Sequence, residues 1–419
     1  MPRHKVMHLL AQMVVIALLS GCGALEPLDE NIEGDFGPEY TVAQHQLRTL
    51  DALWRHLESD YVYYDGGVVD WESLQETYRQ KVEAGLTSEE FSLMIDGLET
   101  ELPGQGLLYQ SRDERIETQI SDASTYAGIG VAVAFAAEPE PHIVVLYVFE
   151  GSPADNAGLK AHDSIFAVDG DRLAPGDTLA AVDRIRGPAG TTVSLGVQSP
   201  GTPERTVEIT RAGIDSTVAL ETSIIEGTDI GYVLFPPSAY DALMDELLES
   251  IRSLATNRKL TGLILDLRVA RATNGWPLEE MLTLFHDGVI GEFYNQDASQ
   301  LLQVAGENVL ESQTIPLVIL VGENTRGFAE ILAASLQDGG RATIVGGVTP
   351  GEVEIMSSYY LPDGSHVGIQ SASFRLPDGQ EIGLSGITPD IAIDAGWGEV
   401  VPGADPLLEA ALTALEVQQ

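Results

Sequence analysis

The stretch from Pro316 to Glu352 reads strand, turn, helix, strand and glycine loop, an order that few architectures accommodate. Pro316-Leu317-Val318-Ile319-Leu320-Val321 is a short, unbroken, β-branched run, the composition of a strand buried on both faces. Gly322 to Glu330 leads into a helix whose apolar positions Phe328, Ile331, Leu332 and Leu336 recur at helical spacing. Asp338-Gly339-Gly340 stops that helix and Ala342-Thr343-Ile344-Val345 supplies a second strand. Gly346-Gly347-Val348-Thr349-Pro350-Gly351-Glu352 follows. Two buried strands joined by a helix call for a covered, parallel sheet, and α/β enzymes hold a nucleophile at such a helix N-terminus.

Further runs at Ile230 to Phe235 and Leu263 to Leu267, with a helix expected over Ala239 to Leu254, extend the same sheet. This core spans residues 222–398, and residues 399–419 carry a short closing helix from Pro406 to Leu415. Residues 41–125 form an N-terminal helical domain, with a stripe of Leu47, Leu50, Leu53, Trp54 and Leu57. Thr87-Ser88-Glu89-Glu90 there has the spacing of a capping box.

The 419 residues carry 64 acidic and 22 basic side chains, a net charge of −42. A surface this negative repels nucleic acid and anionic lipid, so neither is a partner of the folded part. The chain has four lysines, Lys5, Lys81, Lys160 and Lys259, and none beyond. Residues 1–22 read as a leader: Arg3, His4 and Lys5 precede a mostly apolar run from Val6 to Leu19, too short to span a bilayer comfortably. Leu19-Ser20-Gly21-Cys22 resembles the bacterial lipobox, which implies lipidation at Cys22, and Gly23 after it points to an outer-membrane destination, on the periplasmic side. Cys22 is the only cysteine, so no intramolecular disulfide framework exists. Residues 23–40, with six Asp or Glu, read as an acidic tether.

Residues 126–212 resemble a PDZ domain. The phrases are Gly128-Ile129-Gly130-Val131, then Gly151-Ser152-Pro153-Ala154-Asp155-Asn156-Ala157-Gly158-Leu159, then Val168-Asp169-Gly170, then Arg186-Gly187-Pro188-Ala189-Gly190-Thr191. The resemblance implies a groove between the Val131–Phe135 strand and a helix over Thr178 to Ile185. There a peptide C-terminus adds a strand and its carboxylate meets the backbone N–H groups of Gly128, Ile129, Gly130 and Val131. Unstructured protein C-termini, or a protein partner offering one, are the implied ligands.

Residues 322–352 resemble the C-terminal processing peptidases, also called tail-specific proteases. That family writes Ser-Ala-Ser-Ala-x-Glu at the helix start and Gly-Glu-x-Thr-x-Gly-Lys-Gly at the glycine loop. The middle serine is its nucleophile, the lysine its general base, and a glutamine four residues later assists. Anchored on Glu330, the nucleophile position is Gly327; anchored on Thr349 and Gly351, the base position is Glu352 and the glutamine position Met356. The first two lie 25 residues apart, the family's spacing. The family's Asp-Leu-Arg is present as Asp266-Leu267-Arg268, but its Asn-x-Gly-Gly oxyanion loop is replaced by Val269-Ala270-Arg271-Ala272-Thr273-Asn274-Gly275-Trp276. Leu102-Pro103-Gly104-Gln105-Gly106 stands where the family often has Leu-x-Asp-x-His. Gly386-Ile387-Thr388-Pro389-Asp390 keeps a later landmark.

The resemblance implies a multidomain α/β protein: a helical N-terminal region, a β-rich PDZ domain and a crotonase-like peptidase core, with no cofactor. No catalytic residue is intact. Substitutes offer little. Ser371-Ala372-Ser373 copies the tripeptide on a later strand; Thr325 is two positions early; His286 and His366 are the only core histidines; and Glu323, Glu330, Glu352 and Glu354 read as solvated charge rather than a cation site. The expectation is a peptide-binding pseudo-peptidase anchored to the bacterial envelope. The alternative is a serine endopeptidase with an unorthodox site.

Overall fold

The computed structural model describes residues 40–67, 69–115, 127–175, 177, 179–214, 219–272, 275–353, 355–401 and 403–418. The leader with Cys22, the tether as far as Glu39, Thr178, Thr273, Asn274 and Glu354 lie outside the described residues.

Three helices open the fold: α1 (Val42–Asp60), α2 (Trp71–Glu83) and α3 (Ser88–Asp96). On α1, Leu50, Leu53, Trp54 and Leu57 are buried at the expected spacing. The capping box of α3 forms: the Glu90 N–H donates to Thr87 Oγ1 at 3.2 Å and the Thr87 N–H to Glu90 Oε2 at 2.8 Å. The segment is not helical throughout, because β1 (Leu107–Gln110) pairs antiparallel with a strand of the core. Accordingly Leu50, Leu57 and Tyr61 share one apolar cluster with Val367 and Ile369.

The next strands are β2 (Ala127–Gly128), β3 (Val131–Ala136), β4 (His142–Val148), β5 (Ser164–Val168), β6 (Asp171–Arg172), β7 (Thr192–Gln198), β8 (Arg205–Thr210) and β9 (Ala212–Gly213). Helix α4 (Pro153–Asn156) lies between β4 and β5, and α5 (Leu179–Ile185) between β6 and β7. The sheet order β3-β4-β5-β7-β8 leaves β3 with one neighbour, β4, among the described residues. Strand β2 pairs with β9, tying the two ends of this region together.

The core sheet holds β10 (Glu221–Ile224), β11 (Ile230–Leu234) and β12 (Gly262–Asp266), with α6 (Leu243–Leu254) crossing between the last two. After the short β13 (Arg271–Ala272) come α7 (Leu278–Phe285), β14 (Gly288–Tyr294) and β15 (Ser299–Val304). Then follow β16 (Leu317–Val321), β17 (Arg326–Gly327), α8 (Phe328–Asp338), β18 (Thr343–Gly346), β19 (Ile355–Tyr360) and β20 (His366–Arg375). The chain ends with α9 (Ile382–Ser385), β21 (Ile391–Ala392) and α10 (Pro406–Gln418). The order β10-β11-β12-β16-β18-β21 is parallel except at β10, which runs antiparallel to β11. Helix α10 is more than a tail. Its Leu407, Ala411, Ala414 and Leu415 are buried against Ile230, Ile264, Val318, Leu320 and Val345, sealing one face of the sheet.

Helix α6 starts at Leu243, later than the expected Ala239. The Tyr240 hydroxyl donates to Glu246 and accepts the Leu220 N–H, which holds Tyr240 in the preceding loop.

The PDZ region packs on the core through Val144 and Leu146 of β4, against Leu234, Val269 and Trp397. Trp397 Nε1 donates to the Val145 carbonyl at 3.2 Å, and its ring lies 4.1 Å from the His162 ring and 4.8 Å from the Arg268 guanidinium. Arg268 in turn pairs with Asp266 at 2.6 Å and Asp405 at 2.8 Å. Burial opposes its charge, but the two carboxylates outweigh it and raise the guanidinium pKa further. Burial first, then the Arg268 charge, lowers the His162 imidazole pKa from 6.5.

Candidate active site

Strand β16 delivers the chain to a tightly tied turn. Thr325 Oγ1 accepts the Gly322 N–H and donates to the Leu267 carbonyl, both at 2.9 Å, and the side chain is fully buried. That double duty removes Thr325 as a nucleophile. The Arg326 N–H donates to the Ala270 carbonyl at 2.9 Å, and β17 pairs parallel with β13. Gly327 then takes φ 68° and ψ −132° as the N-cap of α8. This is a strained strand-to-helix turn of the kind that displays a nucleophile, and only glycine adopts it at little cost.

No side chain fits there. A Cβ built on Gly327 would lie 2.1 Å from the Ala272 carbonyl oxygen. The loop after Arg268 thus meets the turn with carbonyl oxygens, from Ala270 and Ala272. An oxyanion hole needs N–H donors at that place. Val269, Ala270, Ala272 and Trp276 are buried, with the Trp276 ring 6.0 Å from Phe235, so these residues of the loop belong to the packed core. Asn274, the displaced counterpart of the family's asparagine, lies outside the described residues.

Positions 327 and 352 do come together: the Glu352 carbonyl is 3.7 Å from the Cβ position at Gly327. The Glu352 carboxylate is exposed and pairs with Arg326. Met356 sits on β19 opposite Gln370, its Cε 3.4 Å from the Cβ position at Gly368.

Glu330 was expected to be solvated and is instead fully buried. Its Oε2 accepts the Gly327 N–H at 3.2 Å and its Oε1 accepts the Gly351 N–H at 2.7 Å, so one carboxylate ties the turn to the glycine loop. Burial pushes its pKa up to about 7, against hydrogen bonds from Thr349, Gly351 and Gly327 that favour the charged form. The signal for this role was its place three residues into a helix, where a carboxylate reaches back to the N-cap. Glu323 is exposed, and Glu354 lies outside the described residues.

The remaining substitutes are dispersed. Ser371 Oγ donates to the Ile355 carbonyl at 3.1 Å, and buried Ser373 accepts from the Tyr63 hydroxyl at 3.1 Å. His286 caps α7 and His366 begins β20, half-buried beside Tyr360, rather than sitting free in the turn before it. At the Leu102–Gly106 segment, Cβ atoms on Gly104 and Gly106 would meet Gln370, Tyr63 and Tyr61 within 3.1 Å. Bulky neighbours fill the room that an Asp and a His would need.

In the PDZ region Val131 starts β3, as expected from the sequence, and Gly128 ends the short β2. The Ile129 carbonyl accepts the Ala154 N–H at 2.8 Å, and the Gly130 carbonyl accepts from Phe149 N–H and Ser152 Oγ. These bonds turn the loop's carbonyls inward, onto the chain around α4. Gly130 has φ +81°, with a Cβ position 2.3 Å from Ser152 Cβ, so the loop requires glycine.

Three families match this chain: Peptidase family S41 over residues 229–393, PDZ domain over 144–199 and Tricorn protease C1 domain over 46–98. The carboxyl-terminal-processing protease of Picosynechococcus sp. is 30% identical over 316 residues, 72% of this chain and 73% of that protein. The chain belongs to peptidase family S41. The carboxyl-terminal-processing protease of Synechocystis sp. is 28% identical over 395 residues, 90% of this chain and 88% of that one. The solved photosystem II D1 C-terminal processing protease superposes with a TM-score of 0.58 at 25% identity, covering 89% of this chain and 97% of its own. The S41 frame, the PDZ domain and the mixed α/β architecture expected from the sequence are all present.

Proposed function

We propose that this S41 chain is a catalytically inactive, peptide-binding pseudo-peptidase of the bacterial envelope, lipidated at Cys22 and held on the periplasmic side of the outer membrane. The observation that carries the reading is the Ala272 carbonyl standing 2.1 Å from the position a nucleophile's Cβ would take at Gly327. Glycine at 327, glutamate at 352 and methionine at 356 leave no nucleophile, no amine base and no assisting amide at the family positions. The alternative, a working endopeptidase, needs another nucleophile, and Thr325, Ser371 and Ser373 are each engaged in hydrogen bonds.

What such a chain retains is recognition. Strand β3 has a single neighbour in its sheet among the described residues, so an extended peptide can pair with its other edge. The Gly128–Val131 loop would meet that peptide's carboxylate. Affinity on the order of micromolar suits one strand of hydrogen bonds and one or two pockets.

The test incubates the mature protein with a peptide ending in a free apolar residue and with its amide, reading affinity by anisotropy and peptide mass afterwards. The free acid binds, the amide binds far less, and both masses stay unchanged. Equal binding of the two, or shortened peptides, contradicts the reading. For the anchor, Cys22→Ala releases the protein to the soluble fraction; a mature N-terminus well downstream of Cys22 would refute lipidation.

A further inference from the structure

We propose that the cavity beyond the carboxyl ends of β16, β18 and β21 is a receptor for an alkylguanidinium group, carried by an arginine side chain or by a free small molecule. It is separate from the PDZ groove, and none of Gly327, Glu352 and Met356 lines it. Its walls come from residues 321–324 at the end of β16, from Gly347 and Val348 after β18, and from residues 393–397 after β21. Ligands of open α/β sheets bind in this place, outside the carboxyl ends of the strands. The volume is about 210 Å³. Sites for whole drug-sized ligands start at roughly 300 Å³, so a group the size of one side chain is what fits.

Asn324 marks the site. It is 4% exposed, and its amide makes no hydrogen bond among the described residues. Nothing local asks for asparagine there: its φ is negative, and it is the Thr325 hydroxyl that ties the turn. Thr49, Ser335 and Gln370 also hold unpartnered polar atoms, but those are enclosed by protein. Asn324 borders open space. A Cβ on Gly322 would meet nothing within 4 Å, and one on Gly347 only the Gly322 Cα at 3.9 Å, so the two glycines leave room. An amide held bare at the wall of a recess is a ready hydrogen-bond partner for a ligand.

The surrounding charge selects a cation. Arg268 borders the cavity but is answered twice, by Asp266 and Asp405. Glu323 and Asp394 at the rim are exposed and enter no ion pair among the described residues. Acid alone would distinguish nothing on a chain of net charge −42. Here it stands beside Val348, Ile393 and Leu407, apolar surface for an alkyl stem, and beside the Asn324 amide. A guanidinium offers donors only, in a planar fork, which suits two carboxylates and an amide oxygen.

The experiment titrates the full mature chain by calorimetry with agmatine and with an arginine tripeptide blocked at both ends, which offers the PDZ groove no free carboxylate. Both bind, and the citrulline tripeptide, uncharged and of nearly the same shape, binds roughly tenfold more weakly or worse. Asn324→Leu lowers affinity roughly tenfold and leaves the melting temperature unchanged or raised, since no hydrogen bond within the protein is lost. Glu323→Gln with Asp394→Asn, both exposed, weakens binding by a similar factor, while Glu72→Gln with Glu76→Gln on the surface of α2 leaves it unchanged. Binding of agmatine without the tripeptide supports the guanidinium site and makes its ligand a free small molecule. Binding of neither, citrulline binding as well as arginine, or the α2 variant weakening binding as much as the rim variant overturns the proposal. So does normal affinity in Asn324→Leu. Each of these outcomes leaves the PDZ reading standing, because a blocked peptide does not test it.

Discussion

At the scale of single residues, family spacing points to Gly327, Glu352 and Met356 as the positions to compare, but their surroundings leave no mark in the sequence. Sequence alone placed Gly327 and Glu352 together; it gave no sign that a carbonyl from the 269–276 loop closes the space, since backbone direction leaves no mark in side-chain identity. It also assigned Glu330 to solvent, because an isolated carboxylate is solvated far more often than buried. Two predictions belong here. Gly327→Ser, with or without Glu352→Lys, yields no peptidase activity and lowers stability by about 2–5 kcal/mol, from the positive-φ backbone and the clash with Ala272. Denaturant midpoints measure the loss; a variant as stable as the parent would mean the loop moves aside freely. The second concerns pH. The Glu330 pKa is raised from 4.5 to about 7 in the folded protein, so the fold binds this proton more tightly than the unfolded chain does. Its contribution is therefore full below 4.5 and is lost as pH rises to about 7, on the order of 3 kcal/mol. Glu330→Gln, neutral throughout, flattens the dependence of unfolding free energy on pH across that window. An unchanged slope would contradict a titrating buried Glu330.

Among the elements, periodicity identified the strands and helices of the core well, and missed where tertiary bonds override it. Tyr240 fits a helical pattern yet is held in a loop by Glu246 and Leu220. Strand β1 follows three helices and completes a sheet whose partner β20 lies more than 250 residues later, a pairing no local pattern announces. Helix α10 reads in sequence only as a short closing helix, but Leu415 is fully buried and touches the sheet at Gly262. Leu415→Ala should cost about 2–5 kcal/mol, read from chemical denaturation, whereas a frayed tail would lose almost nothing. Trp397 was likewise silent in the sequence. It contacts β4, His162 and Arg268 at once, so Trp397→Ala should cost about 3–5 kcal/mol and let the PDZ region open separately from the core. Hydrogen exchange would show β4 amides losing protection first; uniform loss across the chain would argue against a junction held by this side chain.

For the whole molecule, fold and family follow from several phrases in order, while activity follows from a handful of atoms around Gly327. On the proposed reading this S41 chain keeps its sheet, its glycine loop and its PDZ domain while lacking the groups that break a peptide bond, because packing and chemistry are carried by different residues. Loss of a nucleophile or its base in a serine protease lowers the rate about a million-fold, and such losses do not add, so one absence suffices. The most direct measurement is turnover by the stringently purified mature protein on casein and on peptides with apolar C-termini, run beside a fluorophosphonate label. The expected result is substrate recovered intact and no labelled residue in the chain. Turnover that follows the protein through purification, with a labelled serine anywhere in residues 229–398, would contradict it.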